Sequence, residues 1–229
     1  MIKFENVTKQ YSKQIVGIKD TTFDIHKGEF VFITGPSGAG KSTITRLLLK
    51  EIDPDSGKIL LNGKNITKVS RREIPIIRTK IGVVFQDFRL LANRSIYENI
   101  EFVLDVKGYS RKEKQKTIDR VLDLVHLRHR KKALPNELSG GEKQRVSIAR
   151  ALSISPEVIL ADEPTGNLDP VTAWEVIQFF EEVNKKEGTT IIINTHSKDI
   201  VDKMNKRVIT ISDGEVVRDS VGGYLYEGN

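Results

Sequence analysis

The spacing of apolar residues predicts a chain in which short buried strands alternate with helices. Four short runs are largely apolar on successive positions, as in strands buried on both faces of a parallel sheet: residues 30–34, 81–85, 158–161 and 190–194. Helical spacing predicts five helices, at residues 42–49, 98–106, 110–125, 139–152 and 170–186. This alternation indicates an α/β fold with a mostly parallel sheet.

Both ends of the chain carry a different pattern. Residues 2–11 alternate apolar and polar side chains and then lose the alternation, which predicts an edge strand. A second strand is expected at 15–25 and a short one at 58–61, closed by Asn62-Gly63. Near the other end, Asp213-Gly214 separates two apolar runs and predicts a hairpin.

The segment from Phe88 to about Leu134 reads as a helical insertion, because its apolar residues recur at helical spacing. We therefore predict a single domain, residues 1–229. Its catalytic core is expected at about 1–87 and 156–229, and a helical subdomain at about 88–155.

Composition indicates a soluble globular protein, with 38% hydrophobic and 30% charged residues among 229. No apolar run approaches the roughly 18 residues that span a bilayer, and the N-terminus lacks a signal-peptide core. We therefore expect a cytoplasmic location. The absence of cysteine excludes disulfides and thiolate metal sites.

The net charge of +6 is concentrated in one segment. Residues 107–132 contain ten Lys or Arg against three acids, an excess of seven positive charges. Two interpretations stay open: a solvated helical face, or a patch that faces the anionic inner leaflet of a membrane. We expect no nucleic-acid partner.

A glycine-rich loop between a predicted strand and a predicted helix carries the main chemical signal. Its spacing, G-x-x-x-x-G-K-S, allows backbone amides and the helix N-terminus to surround a polyphosphate. Lys41 is suited to neutralise terminal phosphates, and the Ser42 hydroxyl to coordinate Mg²⁺. The alternative is a glycine-rich turn that binds nothing. The loop consists of Gly35, Pro36, Ser37, Gly38, Ala39, Gly40, Lys41 and Ser42.

Two acids follow the buried strand at 158–161. Ligands of open α/β sheets sit at the carboxyl ends of the strands, so Asp162 is expected beside the phosphate loop, where it can hold Mg²⁺. Glu163 can reach the attacking water as base or orienter. The alternative is a solvated turn.

Gln86 and His196 also lie just beyond predicted strands. An amide there can bind metal or water, and an imidazole can donate a hydrogen bond to a phosphate. Each taken singly could be an ordinary loop residue. Their shared location favours a role at the nucleotide.

Residues 138–142, Leu-Ser-Gly-Gly-Glu, predict a second phosphate-binding helix start. Ser139 and Glu142 form a capping-box pattern, and Gly140 and Gly141 leave the amides bare. An ordinary capped helix would account for Ser139 and Glu142 but not for both glycines. Because the first loop already cradles a nucleotide, we expect this start to close on a nucleotide held by another copy.

Together these motifs resemble those of the ATP-binding-cassette ATPase family, over nearly the whole chain. The family's motifs are Walker A at 35–42, the Q-loop at Gln86, the signature at 138–142, Walker B at 158–163, the D-loop at 167–169 and the H-loop at His196. The resemblance implies a P-loop NTPase fold: a RecA-like, mostly parallel sheet with flanking helices, an N-terminal antiparallel β subdomain and an inserted α-helical subdomain.

The resemblance also implies the site residues. The catalytic ones are Glu163, His196 and Gln86, and the Mg²⁺ ligands are Ser42, Gln86 and Asp162. The nucleotide is expected to contact Tyr11, the phosphate loop and Thr43. Tyr11 occupies the place of the family's adenine-stacking aromatic, although it could equally be a strand-end tyrosine. Two copies are expected to form a head-to-tail dimer around two ATPs, with Ser139, Gly140, Gly141, Glu142 and the D-loop Asp169 at the interface.

Finer features, including 135–142, 161–169 and a short tail with tyrosines, resemble a bacterial cell-division branch of the family. This implies an integral membrane partner, docked in the cleft from Gln86 to Tyr97, and a location on the cytoplasmic face of the membrane. The apolar residues of that cleft, which could instead be subdomain core, are Phe88, Leu90, Leu91 and Tyr97.

Other readings remain open. Lipoprotein-release and macrolide-export ATPases also contain the motif blocks at 135–142 and 161–169. Soluble mechanical or DNA-repair ATPases carry long coiled coils between Walker A and the signature, whereas Lys41 and Ser139 are only 98 positions apart here. A nucleotide-binding regulator without turnover is disfavoured, because it would not need Glu163.

Overall fold

The computed structural model describes residues 1–12 and 14–224, so most of the predicted tyrosine tail lies outside the described residues. The strands are β1 Ile2–Ser12, β2 Ile15–Ile25, β3 Phe30–Thr34, β4 Ser56–Leu61, β5 Lys64–Asn65, β6 Ile81–Phe85, β7 Val158–Asp162, β8 Thr190–Asn194, β9 Arg207–Ser212 and β10 Glu215–Val221. The α-helices are α1 Lys41–Leu48, α2 Ile74–Arg78, α3 Ile96–Val106, α4 Arg111–Leu124, α5 Gly140–Ser153, α6 Pro170–Glu187 and α7 Lys198–Met204.

The chain divides into two compact units. One contains Met1–Arg78 and the chain from Val183 onward, and the other is Thr79–Glu182. The predicted helical subdomain, 88–155, lies within the second unit, which also includes β6 and β7. The subdomain limits expected from the sequence therefore stay a prediction.

An antiparallel sheet with strand order β2-β1-β4-β5 forms part of the first unit. The prediction that β1 is an edge strand is wrong, because β1 pairs with β2 on one side and β4 on the other. Its alternation is interrupted where Asn6 takes a positive φ of 49° and the register shifts between Phe4 and Val7. Such a bulge reverses the faces of the sheet to which the following side chains point. The sequence pattern of this central strand therefore resembles that of an edge strand.

The first unit also contains β3, which is parallel to β8 on one side and to β9 on the other. All five residues of β3 and of β8 are buried, as their continuous apolar runs predict. The predicted hairpin joins β9 to β10, and both Asp213 and Gly214 have positive φ. Such angles are those that a two-residue hairpin turn requires.

In the second unit, β6 and β7 are parallel and helices α3, α4 and α5 pack together. The predicted stripe of α4 is fully buried: Ile118, Val121, Leu122 and Val125. Gly82 of β6 permits close packing, because a Cβ there would lie 3.0 Å from the Ala151 carbonyl oxygen. The predicted α/β architecture, with an antiparallel N-terminal sheet and a helical portion, is confirmed.

None of the described helices is long and apolar enough to cross a membrane.

Candidate functional site

The phosphate loop predicted at 35–42 connects β3 to α1. Gly35 has φ 140°, and a Cβ there would lie 2.1 Å from the Ile211 carbonyl oxygen. Gly40 has φ 117°, and a Cβ there would lie 2.3 Å from the Gly17 carbonyl oxygen. Neither position accepts a side chain, so packing within the first unit fixes the shape of the loop.

Helix α1 begins at Lys41 without a side-chain cap, since its N-cap residue is Gly40. The first amides of a helix have no intrahelical partner and attract anions when no side chain covers them. Lys41 is buried, and its Nζ donates to the carbonyl oxygens of Gly35 at 2.8 Å and Pro36 at 2.9 Å. Ser42 is exposed. A loop with uncovered amides, in which a lysine ammonium binds the loop carbonyls, fits a polyphosphate.

Tyr11 lies beside the first two turns of α1. Its hydroxyl is 3.3 Å from Thr43 Oγ1 and accepts a hydrogen bond from Arg46 at 3.2 Å. The Arg46 guanidinium is 5.6 Å from the ring centroid, and 42% of Tyr11 is exposed. The ring therefore presents a partly open face near the phosphate loop, and adenine stacking stays a prediction.

His196 follows β8 at the edge of the sheet where β3 ends. Asn194 is paired with Ile33, and the Thr195 amide donates to the Ile33 carbonyl at 3.1 Å. His196 itself is exposed. Its predicted location, on the same edge as the phosphate loop, follows from this parallel pairing.

In the second unit, Gln86 and Glu163 each directly follow the last residue of a strand. Phe85 is paired with Asp162, so Gln86 and Glu163 are the next residues along two neighbouring strands. Glu163 has a φ of 48°. The left-handed conformation costs a non-glycine residue about 1–2 kcal/mol, and such strain is typical of functional sites.

The structure adds a contact of Gln86 that sequence reasoning missed. Gln86 Nε2 donates to Asn167 Oδ1 at 3.2 Å, and Asn167 Nδ2 donates to the Gln86 carbonyl at 3.1 Å. Gly166 makes room for this pair, since a Cβ there would lie 2.6 Å from Gln86 Nε2. The only sequence signal was that Asn167 belongs to the D-loop motif, 167–169, and directly follows Gly166.

The predicted capping box at the start of α5 is present. Ser139 Oγ accepts from the Glu142 amide at 3.2 Å, and Glu142 Oε2 accepts from the Ser139 amide at 2.8 Å. The hydrogen bond from the Ser139 amide holds the pKa of Glu142 below its usual value. Two of the orphan amides at this helix start are therefore satisfied within the chain.

The two signature glycines have an internal role that the sequence did not reveal. A Cβ at Gly140 would lie 3.0 Å from Leu168 Cδ2, and one at Gly141 would lie 2.4 Å from Thr172 Cγ2. The expectation that only a ligand explains both glycines is therefore wrong. Asp169 caps the neighbouring helix α6, because its Oδ1 accepts from the Thr172 amide at 3.0 Å. Hydrogen bonds from Thr172, its side chain first, lower the pKa of Asp169.

This packing makes a testable prediction about Gly141. We expect Gly141→Ala to lower the free energy of unfolding by about 1–3 kcal/mol, because the new methyl group overlaps the Thr172 methyl in a tightly packed contact. Adding Thr172→Ser should restore most of that loss, since serine lacks the methyl group but keeps the hydroxyl. Urea unfolding of the single and double variants measures both effects. Equal stability of Gly141→Ala and wild type would contradict the contact.

Oxygen donors for Mg²⁺ are available at the three predicted positions, namely the exposed Ser42 and Gln86 and the half-buried Asp162. Mg²⁺ is usually held by one or two carboxylates together with substrate phosphates and waters, so the hydroxyl in the first unit and the amide and carboxylate in the second are each of a kind that the ion accepts. Among the residues that the structure describes, no group of three or more His, Cys, Asp or Glu could hold a metal ion.

A groove of about 440 Å³ overlaps the predicted docking cleft, Gln86 to Tyr97, at residues 91–94 only. Leu91 and Phe102 supply its apolar surface, with exposed fractions of 39% and 55%. Acidic side chains also line it: Glu98, Glu101 and Asp105. Of the predicted docking residues only Leu91 lines this groove, while Phe88, Leu90 and Tyr97 are half-buried. Phe102 was missed because helical spacing alone does not tell which apolar residues stay exposed.

Part of the basic segment 107–132 serves the fold. Lys107 donates to the Ile154 carbonyl at 2.8 Å, and burial lowers its pKa. Lys114 contacts Asp105 at 2.6 Å, and Arg128 contacts Asp123 at 2.7 Å. Arg130 donates to the Glu137 carbonyl at 2.5 Å. At least these four of the ten basic side chains thus have internal partners.

Comparison with known proteins finds a matching family and several similar proteins. A sequence profile described as ABC transporter matches residues 18–166. The chain is 48% identical to the cell division ATP-binding protein FtsE of Bacillus subtilis, over 97% of each chain. It is 41% identical to FtsE of Escherichia coli K12, over 94% of this chain and 97% of that one. The dimeric ATP-binding cassette MJ0796, solved with ADP and Pi, matches with a TM-score of 0.86 and 36% identity, over 98% of this chain and 100% of that one.

Proposed function

The chain belongs to the ABC transporter family of ATPases, and we propose that it is the ATP-hydrolysing subunit of a membrane complex that regulates cell division. FtsE proteins match it over nearly their full length. The observation that carries the proposal is the loop from Gly35 to Ser42, whose shape excludes side chains at Gly35 and Gly40 and whose helix start has no side-chain cap. That geometry suits a nucleoside triphosphate.

In this proposal, the phosphate loop and Lys41 bind the phosphates of ATP, and Tyr11 supports the adenine. When bound, Mg²⁺ neutralises charge on the β- and γ-phosphates. Ser42, Gln86 and Asp162 are its proposed ligands. Glu163 orients and deprotonates the attacking water, and His196 donates a hydrogen bond to the γ-phosphate.

We further propose that two copies close head to tail on ATP. Dimerisation is supported by the related cassette MJ0796, which was solved as a dimer. Ser139 Oγ accepts the Glu142 amide within its own chain, but a hydroxyl can also donate, so it remains suited to a phosphate of the other copy's nucleotide. Asp169 lies at the same end of α5 and is the proposed D-loop contact between copies.

The proposed partner is an integral membrane protein similar to FtsX, as the resemblance to FtsE implies. ATP-driven closing of the dimer would then be transmitted through this partner to cell-wall hydrolases. The groove next to Leu91 and Phe102 offers apolar surface, and its acids are already paired with Arg94 or Lys114, which favours a partner segment that is mainly apolar. The protein would act at the cytoplasmic face of the membrane through this contact.

Capture of the partner tests this function. We expect Phe102→Glu to reduce recovery of the FtsX-like protein from solubilised membranes at least tenfold, because a buried anchor carries much of the binding energy of an interface. Val217→Glu is the matched control, since Val217 is also an exposed apolar residue, 60% exposed, but lies in the other unit. Equal recovery with Phe102→Glu would contradict docking at the groove. Recovery of a lipoprotein-release or drug-export protein instead would contradict the cell-division role.

A further inference from the structure

The connection between β6 and α3, residues 86–95, is neither helix nor strand. We call it the connecting segment. It joins the proposed catalytic residue Gln86 to Leu91, which lines the docking groove. Side chains from three other places hold its backbone: Asn167 at Gln86, Arg150 at Phe88 and Arg89, and Asn99 at Leu91 and Arg94.

Arg150, in the last turns of α5, binds the most strained part of this segment. Its Nη2 donates to the Phe88 carbonyl at 2.9 Å, and its Nη1 donates to the Arg89 carbonyl at 2.5 Å. Phe88 and Arg89 have φ values of 59° and 45°, so two successive non-glycine residues are left-handed. Side chains disfavour that conformation, and a pair of charged hydrogen bonds compensates for it.

Arg150 lies in surroundings that disfavour its charge, which indicates that its role is to bind these two carbonyls. Burial and the nearby positive charge of Arg89 both lower its pKa, while Asp87 acts in the opposite direction. Arg89 in turn packs on the last residue of β6, with its guanidinium 3.6 Å from the Phe85 ring centroid. Removing Arg150 therefore leaves the half-buried Phe88 carbonyl and the exposed Arg89 carbonyl without their cationic donor.

Asn99 of α3 fixes the other end of the connecting segment. It is 1% exposed, and its Oδ1 accepts from the Leu91 amide at 2.7 Å. Its Nδ2 lies 3.2 Å from the Leu91 carbonyl and 3.0 Å from the Arg94 carbonyl. A fully buried amide with its bonds satisfied rigidifies its neighbourhood.

We propose that Arg150 is a positioning residue that, with Asn99, makes the connecting segment a stiff link between Gln86 and α3 and so fixes the backbone that leads out of Gln86. Arg150 does not touch the nucleotide. The inference rests on the proposed role of Gln86. The guanidinium lies at the far end of the helix that begins with the signature, and it holds the carbonyls two and three residues beyond Gln86.

Arg150→Met tests the link in the isolated, full-length protein. We expect amide hydrogen exchange in residues 87–91 to become about tenfold faster, because local opening no longer breaks the two hydrogen bonds. The kcat for ATP should fall about tenfold while KM changes less than twofold, because the phosphate loop is untouched. Arg150→Lys, which keeps the charge but offers no planar pair of donors, should be intermediate. Arg111→Met, the same change at an exposed arginine of α4, should alter neither quantity.

Two results would overturn the proposal. One is exchange in residues 87–91 that matches wild type in Arg150→Met. The other is faster exchange throughout the second unit, which would mean that Arg150 only stabilises the fold. If Arg150→Met does not fold, the same comparison is made with Arg150→Lys. Hydrogen exchange needs neither ATP nor partner, so a wild-type protein that fails to hydrolyse ATP would refute the proposed function and leave this measurement valid.

Discussion

Replacing Glu163 by glutamine is expected to lower the kcat for ATP about 10²–10⁴-fold, the usual contribution of a general base. Glutamine keeps the length of the side chain and its capacity to accept a hydrogen bond, so the left-handed backbone at Glu163 is conserved and only the base is lost. ATP affinity should stay within about threefold of wild type, since the phosphate loop lies elsewhere in the chain. With turnover blocked, ATP and Mg²⁺ should shift the protein to a dimer in size-exclusion chromatography.

Glu157 provides the matched control for this prediction. It lies just before β7, at the opposite end of the strand from Glu163, and its Oε1 is 3.2 Å from Lys80 Nζ in an exposed ion pair. Glu157→Gln should hydrolyse ATP at the wild-type rate, because an exposed pair contributes little. If Glu163→Gln also hydrolysed ATP at that rate, Glu163 would not be the base.

The strands and helices could largely be predicted because local patterns determine them. The runs at 30–34 and 190–194 are buried on every residue, and the stripe of Ile118, Val121 and Leu122 faces the core. The short elements α2, α7 and β5 were not predicted. The place of β1 in the sheet was predicted wrongly, because the left-handed Asn6 breaks the alternation within a central strand. A bulge depends on its partner strands, so spacing in one strand cannot reveal it.

The candidate site also has parts that the sequence predicts and parts that it does not. The phosphate loop, the capping box and the two acids at the end of β7 are short motifs, and the sequence shows them directly. The contacts of Gly141 with Thr172, of Gln86 with Asn167 and of Arg150 with Phe88 join residues far apart in sequence. They arise from packing between elements, and only the folded chain contains that information.

The second large effect is expected for Lys41. Lys41→Ala should weaken ATP binding at least 100-fold, about 3 kcal/mol, because the variant loses a positive charge held beside the phosphates. The ammonium group donates to the carbonyls of Gly35 and Pro36, so those two acceptors also lose a partner and the loop is less well fixed. Isothermal titration with ATP and Mg²⁺ measures the dissociation constant.

The two causes can be separated by a second substitution. Lys41→Arg keeps the charge but replaces a compact ammonium by a planar guanidinium, which does not fit the same pair of loop carbonyls. If charge alone matters, Lys41→Arg should bind ATP nearly as well as wild type; if loop geometry matters, it should resemble Lys41→Ala. Lys19→Ala, which removes an exposed ammonium paired with Glu215 at 2.7 Å in the same unit, should leave the affinity unchanged. An unchanged dissociation constant in Lys41→Ala would contradict the assignment of residues 35–42 as the phosphate-binding loop.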